Sequence, residues 1–296
     1  MLFRSPRNVA WVTGWFVVAL FIPFAVGLLE DLTKVVGARW RLLATFAGAA
    51  AAWYFCGAQL TRFAVPPLDA MMAMHPAMSF VATLFCVGAI ANAFNLSDGL
   101  NGLLAGLSVA ACTALAFAAH TVGDVFMATA TLSLAAAVAG FAVFNFPRAR
   151  LFCGDGGAYL LGSAVSLFAI LLCARHTAIS PWFAFALVLY PFIDTTAAIV
   201  RRLIRRKPIM SPDADHLHTL LSRALVKRFG KRGHAFASSL IVTTAGAAAA
   251  LATALRHDTG ALVILCAFAA ALYAVAYMVL IRAHPFRAAN PVTHRQ

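Results

Sequence analysis

Apolar residues fill this chain in long unbroken runs, and polar residues gather in the short gaps between them. Nine runs are long enough, or nearly so, to cross a bilayer as helices: 9–29, 40–58, 77–96, 101–119, 125–145, 157–174, 181–200, 234–255 and 260–282. Pro23, Gly88 and Pro191 fall inside such runs, which membrane helices tolerate. The first run follows basic residues and has full spanning length, so it predicts a membrane helix and not a cleavable leader. The longest polar stretch is 201–233, with no room for a soluble domain. No internal repeat or low-complexity linker interrupts the pattern. It predicts an all-α fold: a polytopic transmembrane helical bundle of about nine spans, forming one domain over 1–296, with short loops that carry the chemistry.

Composition supports this. The chain is 62% hydrophobic and 11% charged, with a mean hydropathy of +0.86. The six cysteines lie mostly inside the expected spans and form no C-x-x-C pair, so packing accounts for them better than disulfides or zinc. A net charge of +13 could point to nucleic acid, but in a membrane protein Lys and Arg first report topology. If the nine spans alternate, eighteen of the 23 Lys and Arg fall on one side, among them Lys34, Arg41, Arg201, Arg205, Arg287 and Arg295. Arg4, Arg7, Arg62, Arg175 and Arg256 fall on the other. The richer side is expected to be cytoplasmic, with the N-terminus external and the C-terminus internal. The positive excess therefore implies membrane lipids as partners and no nucleic acid.

The acids follow the same division. Of ten, Glu30, Asp31, Asp98, Asp155, Asp194, Asp213 and Asp215 fall at or near the basic side. Carboxylates gathered with cations at one face of a helical bundle fit a metal–phosphate site. Asn92, Asn95, Asp98 and Asn101 recur every third residue, which puts them near one face of a helix. They offer the hard oxygen ligands that Mg²⁺ takes, although Asn also bonds between helices in bundles. Glu30-Asp31-Leu32-Thr33-Lys34 sets two acids beside a Lys that could meet a phosphate, or it is an ordinary interfacial loop. In Cys153-Gly154-Asp155-Gly156-Gly157 a carboxylate lies among glycines ahead of an apolar helix, where backbone can approach an anion closely. A glycine-rich turn with Asp as its cap is the plainer account. Ser211-Pro212-Asp213-Ala214-Asp215-His216-Leu217-His218 places two His and two Asp in a basic loop. No further His or Cys stands at zinc spacing, so phosphate or sugar contact fits His216 and His218 better than zinc.

In this order the four motifs resemble those of the polyprenyl-phosphate N-acetylhexosamine-1-phosphate transferase superfamily. The resemblance covers about 25–225. It is nearest the branch that transfers GlcNAc-1-phosphate to undecaprenyl phosphate, and not the peptidoglycan muramoyl-pentapeptide enzyme. It departs from the family pattern at Glu30, where an Asp is usual, at Asn101, where many members carry a second Asp, and at Thr219, which replaces a last His. Members also carry about two helices ahead of the acidic pair that this chain is expected to lack. The resemblance implies a bacterial inner-membrane enzyme with its site on the cytoplasmic side. There, UDP-N-acetylhexosamine and undecaprenyl phosphate would give undecaprenyl-diphospho-sugar and UMP, starting a cell-envelope polysaccharide. It implies Mg²⁺, with Mn²⁺ as a substitute, held by Asn95 and Asp155. Asp98 and Asp31, with Glu30, would orient or deprotonate the attacking phosphate. Lys34, Asn92, His216 and His218 would bind substrate. It leaves room for a homodimer. An anion transporter and an inactive truncated homologue are the rival readings. A transporter usually shows inverted repeats and midplane polar residues, which this chain lacks.

Overall fold

The computed structural model describes residues 6–208 and 213–283, and all the regular structure among them is helical. Arg4, Arg287 and Arg295 of the charge count, and Ser211 and Pro212 of the His motif, lie outside them. In chain order the helices are α1 (Pro6–Thr33), α2 (Ala38–Ala51, continued as π-helix over Ala52–Cys56), α3 (Pro66–Met74), α4 (Pro76–Ser97), α5 (Leu103–Thr121), α6 (Val125–Asn145), α7 (Gly154–Arg175), α8 (Pro181–Leu187), α9 (Leu189–Ile204), α10 (Leu217–Phe229), α11 (Gly233–Ala254) and α12 (Thr259–Ala283). Seven described stretches are long and apolar enough to cross a membrane, and up to eight if the bent pair α8–α9 is one span. The protein is a multi-pass membrane protein.

Two of the nine expected spans differ from this, and two further helices appear outside them. The run 40–58 appears as a 14-residue α-helix continued by five residues of π-helix, which falls short of a regular span. The run 181–200 is broken at Val188, with the two halves bent by 71°. Pro191 explains the break: it has no N–H for the carbonyl of Leu187, and its ring crowds that position. The polar stretch 201–233 holds a helix of its own, α10, which packs on α11 and α12. The short α3, begun by Pro66 and Pro67, was not foreseen either.

α7 is the central staff of the bundle. Every residue from 161 to 173 is buried, as expected of a helix that is apolar all round and surrounded by others. α12 turns Ile264, Phe268 and Leu272 outward instead, suiting a lipid-facing helix. α1 lies tightly against α7. A methyl group on Gly27 would fall 2.6 Å from the Gly156 Cα, so only glycine allows the two backbones to approach this closely.

The bundle has two distinct polar ends. At the near end the last turn of α1 meets the start of α7, and the α4–α5 turn meets both. The segment 38–56 therefore carries the chain to the far end, and α4 brings it back. At the far end Asp124 caps α6 through the Met127 N–H and pairs with Arg175 at 3.1 Å and His176 at 2.9 Å. Arg62 reaches across to the carbonyls of Thr177 and Ile179.

Candidate functional site

α7 begins at the near end without a side-chain cap of its own. The exposed N–H groups of its first turn are met from α1: Asp31 Oδ1 accepts from Asp155 N and Oδ2 from Gly156 N, both at 2.9 Å. A carboxylate is well placed there, facing the positive end of the helix dipole. The acidic pair and the glycine-rich motif, 124 residues apart, are thus one structural unit. Lys34 Nζ lies 3.8 Å from Asp31 Oδ1 at an exposed rim, where an ion pair contributes little. Glu30 does not point the same way. Its Oε2 accepts the Val36 N–H at 2.7 Å and closes the loop between α1 and α2.

Asp155 sits in the first turn of α7 and both of its oxygens are engaged. Oδ1 accepts from Asn95 Nδ2 at 2.8 Å, and Oδ2 pairs with the Arg41 guanidinium, brought by the first turn of α2. Arg41 also stands over the Tyr159 ring at 5.8 Å. Tyr159 Oη donates to Asn92 Oδ1 at 3.4 Å, so Asn92 lies behind the cluster. Asp98 ends α4 beside Asp31. Burial first, and then the Asp31 charge, push its carboxyl from 3.8 to about 6. Burial and the same two acids raise the Cys153 thiol to about 12, which keeps it protonated and removes it as a nucleophile. Asn101 Nδ2 reaches the Pro147 carbonyl at 3.3 Å, at the edge.

Asp31, Asn95, Asp98 and Asp155 therefore converge, with Lys34 at the rim and Asn92 one layer back. The donor set is hard oxygen, and its acids crowd enough to raise one of them. A hard dication with phosphate oxygens in its shell fits such a site and would relieve the crowding. Arg41 and Tyr159 were missed by sequence reasoning. The first-turn position of Arg41, shortly after the acidic pair, was the available signal.

His216 and His218 form a second group. Asp194, from α9, accepts from His216 Nδ1 at 2.7 Å, from Leu217 N at 2.9 Å and from Tyr273 Oη of α12 at 2.7 Å. His218 Nδ1 lies 3.5 Å from the same carboxylate. Ligand atoms of Asp194, His216 and His218 all lie within 4.8 Å of one another. Asp194 thus adds a third possible metal ligand to the two histidines, a carboxylate and not the His or Cys sought by spacing, and it stands 22 residues before His216. The two imidazoles stack with centroids 5.3 Å apart, and the His218 Nε2 edge packs on Gly99, inside the Asn92–Asn101 motif. Part of the loop's positive charge is already paired: Arg201 holds Asp213 at 2.7 Å and Arg205 holds Asp215 at 3.1 Å. Burial pushes the Asp213 carboxyl up, but the Asp215 N–H and the Arg201 guanidinium together outweigh it and hold the group below the ordinary carboxylate range.

Comparison with known proteins bears on this geometry. The profile of glycosyl transferase family 4 matches residues 13–173, more than half of the chain. A probable undecaprenyl-phosphate N-acetylglucosaminyl 1-phosphate transferase of Bacillus subtilis (strain 168) is 34% identical over 202 residues, 68% of this chain and 56% of that protein. An undecaprenyl-phosphate alpha-N-acetylglucosaminyl 1-phosphate transferase of Thermotoga maritima is 30% identical over 69% of this chain and 60% of its own. A decaprenyl-phosphate N-acetylglucosaminephosphotransferase of Mycolicibacterium smegmatis is 34% identical over 72% and 57%. The chain thus spans less than two thirds of the length of these relatives.

Proposed function

The chain belongs to glycosyl transferase family 4, and on that premise we propose that it transfers an N-acetylhexosamine-1-phosphate from a UDP-sugar to undecaprenyl phosphate. A phosphate oxygen of the lipid attacks the sugar-linked phosphorus, the bond between the two phosphates of the UDP-sugar breaks, and UMP leaves. The observation that carries this reading is the convergence of Asp31, Asn95, Asp98 and Asp155 at one end of the bundle.

Asp155 and Asn95 would hold Mg²⁺, which supplies neutralisation of the diphosphate and of charge growing on the leaving group. Asp31 positions that pair by capping α7, and both of its oxygens are engaged in doing so. Asp98, with its carboxyl near 6, is the better-placed group to take a proton from a lipid phosphate whose own second pKa is about 6. Glu30 shapes the loop that presents Lys34. Arg41, Lys34, His216 and His218 supply positive or donor groups to the phosphates and sugar, and Asn92 steadies Tyr159. In phosphoryl transfer, such positioning and charge placement do most of the catalysis.

An apolar cavity of about 400 Å³ between α4, α7, α8 and the segment 60–65 with the start of α3, lined by Phe63, Phe85, Ile90, Trp182 and Phe185, suits part of the prenyl chain. The charge count supports a near end that faces the cytoplasm. Single-Cys labelling at Ala214 from outside intact cells should fail, and success there would reverse the topology. The decisive assay combines purified protein, undecaprenyl phosphate, Mg²⁺ or Mn²⁺ and a panel of UDP-N-acetylhexosamines, with UMP release as readout. Absence of UMP with every donor would overturn the proposal.

A further inference from the structure

Asp194 is a carboxylate with 1% exposure inside a helix, and nothing in the transfer chemistry above uses it. A buried acid persists only where its surroundings compensate for lost water. Here the compensation comes from three elements: its own α9, the start of α10 with His216 and Leu217, and α12 with Tyr273. Both α10 and α12 lie beyond the part of the chain that matches the family profile.

The contacts fix the hydrogens. An ionised carboxylate only accepts, so the 2.7 Å contact puts a proton on His216 Nδ1. Nε2 is then the nitrogen left for a ligand. Asp194 Oδ1 is held in turn by the Leu217 N–H and the Tyr273 hydroxyl, so the carboxylate cannot swing away from the ring. His218 Nδ1 is buried and only 3.5 Å from Asp194 Oδ2, at the outer limit of a hydrogen bond, and its ring stacks on His216 with 17° between the planes. Orientation imposed on one ring is passed to the other, and His218 abuts the turn that carries Asp98.

We propose that Asp194, braced by Tyr273, is a positioning residue that sets the tautomer and ring orientation of His216, and through it the seat of His218 beside the transfer site. The inference rests on the transferase reading for its kinetic consequence. Its structural content is independent of that reading. Carboxylates that orient a metal-bound imidazole alter affinity or activity ~10–100-fold when removed, and an effect of that order is expected for this imidazole.

The test is a double-mutant cycle on the full chain in nanodiscs. Asp194→Asn should raise KM for the UDP-sugar and lower kcat/KM within that range, and Tyr273→Phe should do the same to a smaller degree, both with a melting temperature close to wild type. On a His216→Ala background, Asp194→Asn should cost clearly less than it does in the wild type, because the tie to His216 is gone and only the 3.5 Å contact with His218 is left. Additive losses, or a melting temperature that falls while the kinetics stay intact, would mean a merely structural acid. Stoichiometric transition metal in chelator-washed protein, lost in Asp194→Asn, would make the trio a metal centre and overturn the proposal. If Asp194→Asn does not fold, Tyr273→Phe carries the cycle. If wild type releases no UMP, the transferase reading has failed and ¹⁵N-histidine spectra decide this one. The His216 signal, identified by its loss in His216→Ala, should show Nδ1 protonated. A neutral ring protonated at Nε2 would sink it.

Discussion

Asp69, Asp124 and Asp258, at the far end of the bundle, each accept a backbone N–H close in sequence: Phe63, Met127 and Ala261. At the near end, Asp31 reaches the backbone of α7, 124 residues away, Asp155 reaches Asn95, 60 residues away, and Asp194 reaches His216, 22 away. The first set finishes local loops and helix starts, and only Asp124 adds a distant pairing, with Arg175 and His176. The second exists only once the bundle has assembled, and it leaves acids crowded enough to perturb Asp98. On the proposed transferase reading, charge at the far end serves the fold, while charge at the near end awaits a ligand. The contrast predicts that substitutions at the two ends separate stability from activity.

The largest expected effect is at Asp155. Asp155→Asn keeps size and hydrogen bonding but removes the charge that would hold a hard dication. UMP release across a Mg²⁺ titration should fall at least ~100-fold, roughly 3 kcal/mol of transition-state stabilisation, with folding intact. Wild-type turnover at limiting Mg²⁺ would move the metal role to Asp98. The matching change at the far end is Asp124→Asn, which breaks a buried contact with Arg175 and His176. It should lower stability by about 1–3 kcal/mol, read as a fall in melting temperature, and leave kcat/KM of the folded protein unchanged. A kinetic loss there would erase the distinction between the ends.

pH sharpens the comparison. The Asp98 carboxyl is raised from 3.8 to about 6, first by burial and then by Asp31. Its contribution to stability is therefore full below 3.8 and lost as pH rises through about 6. Its contribution to catalysis as a base runs the other way. We expect kcat/KM to drop about tenfold per pH unit below the limb, and the limb to move to lower pH in Asp31→Asn. A limb that stays put belongs to the substrate phosphate. The smallest effect is expected for Asn101→Asp, at the edge of the cluster with only a 3.3 Å bond to the Pro147 carbonyl. It should change turnover less than about threefold, since surface substitutions are usually worth under ~0.5 kcal/mol.

Much of this was legible in the chain. The run 125–145 coincides with α6, and 77–96 falls one residue short of α4 at each end, because uninterrupted apolar runs bounded by polar residues leave little choice. α7 starts three residues earlier than its run, at Gly154, because its cap comes from Asp31 on another helix. The bend at Val188 was hidden in an apolar run that satisfies a span whether straight or broken. The motif residues Asn95, Asp98 and Asp155 were visible from their polarity in apolar surroundings. The partners that complete them were not. Arg41 read as one topogenic cation among many, Tyr159 and Tyr273 as ordinary bundle aromatics, and the role of Asp194 depends on helices that meet only in three dimensions.

Gly27 and Gly156 hold α1 and α7 backbone to backbone just beneath the site. Their contact works as a pin in a pair of shears. Bilayers differ in thickness, and helices accommodate this by tilting. With the pin beside Asp31 and Asp155, such tilting opens or closes the far end and leaves the spacing of the two carboxylates nearly fixed. The same protein should then keep its turnover in short-chain and long-chain lipids alike. A single methyl at Gly27 would force the pin apart and make activity follow membrane thickness.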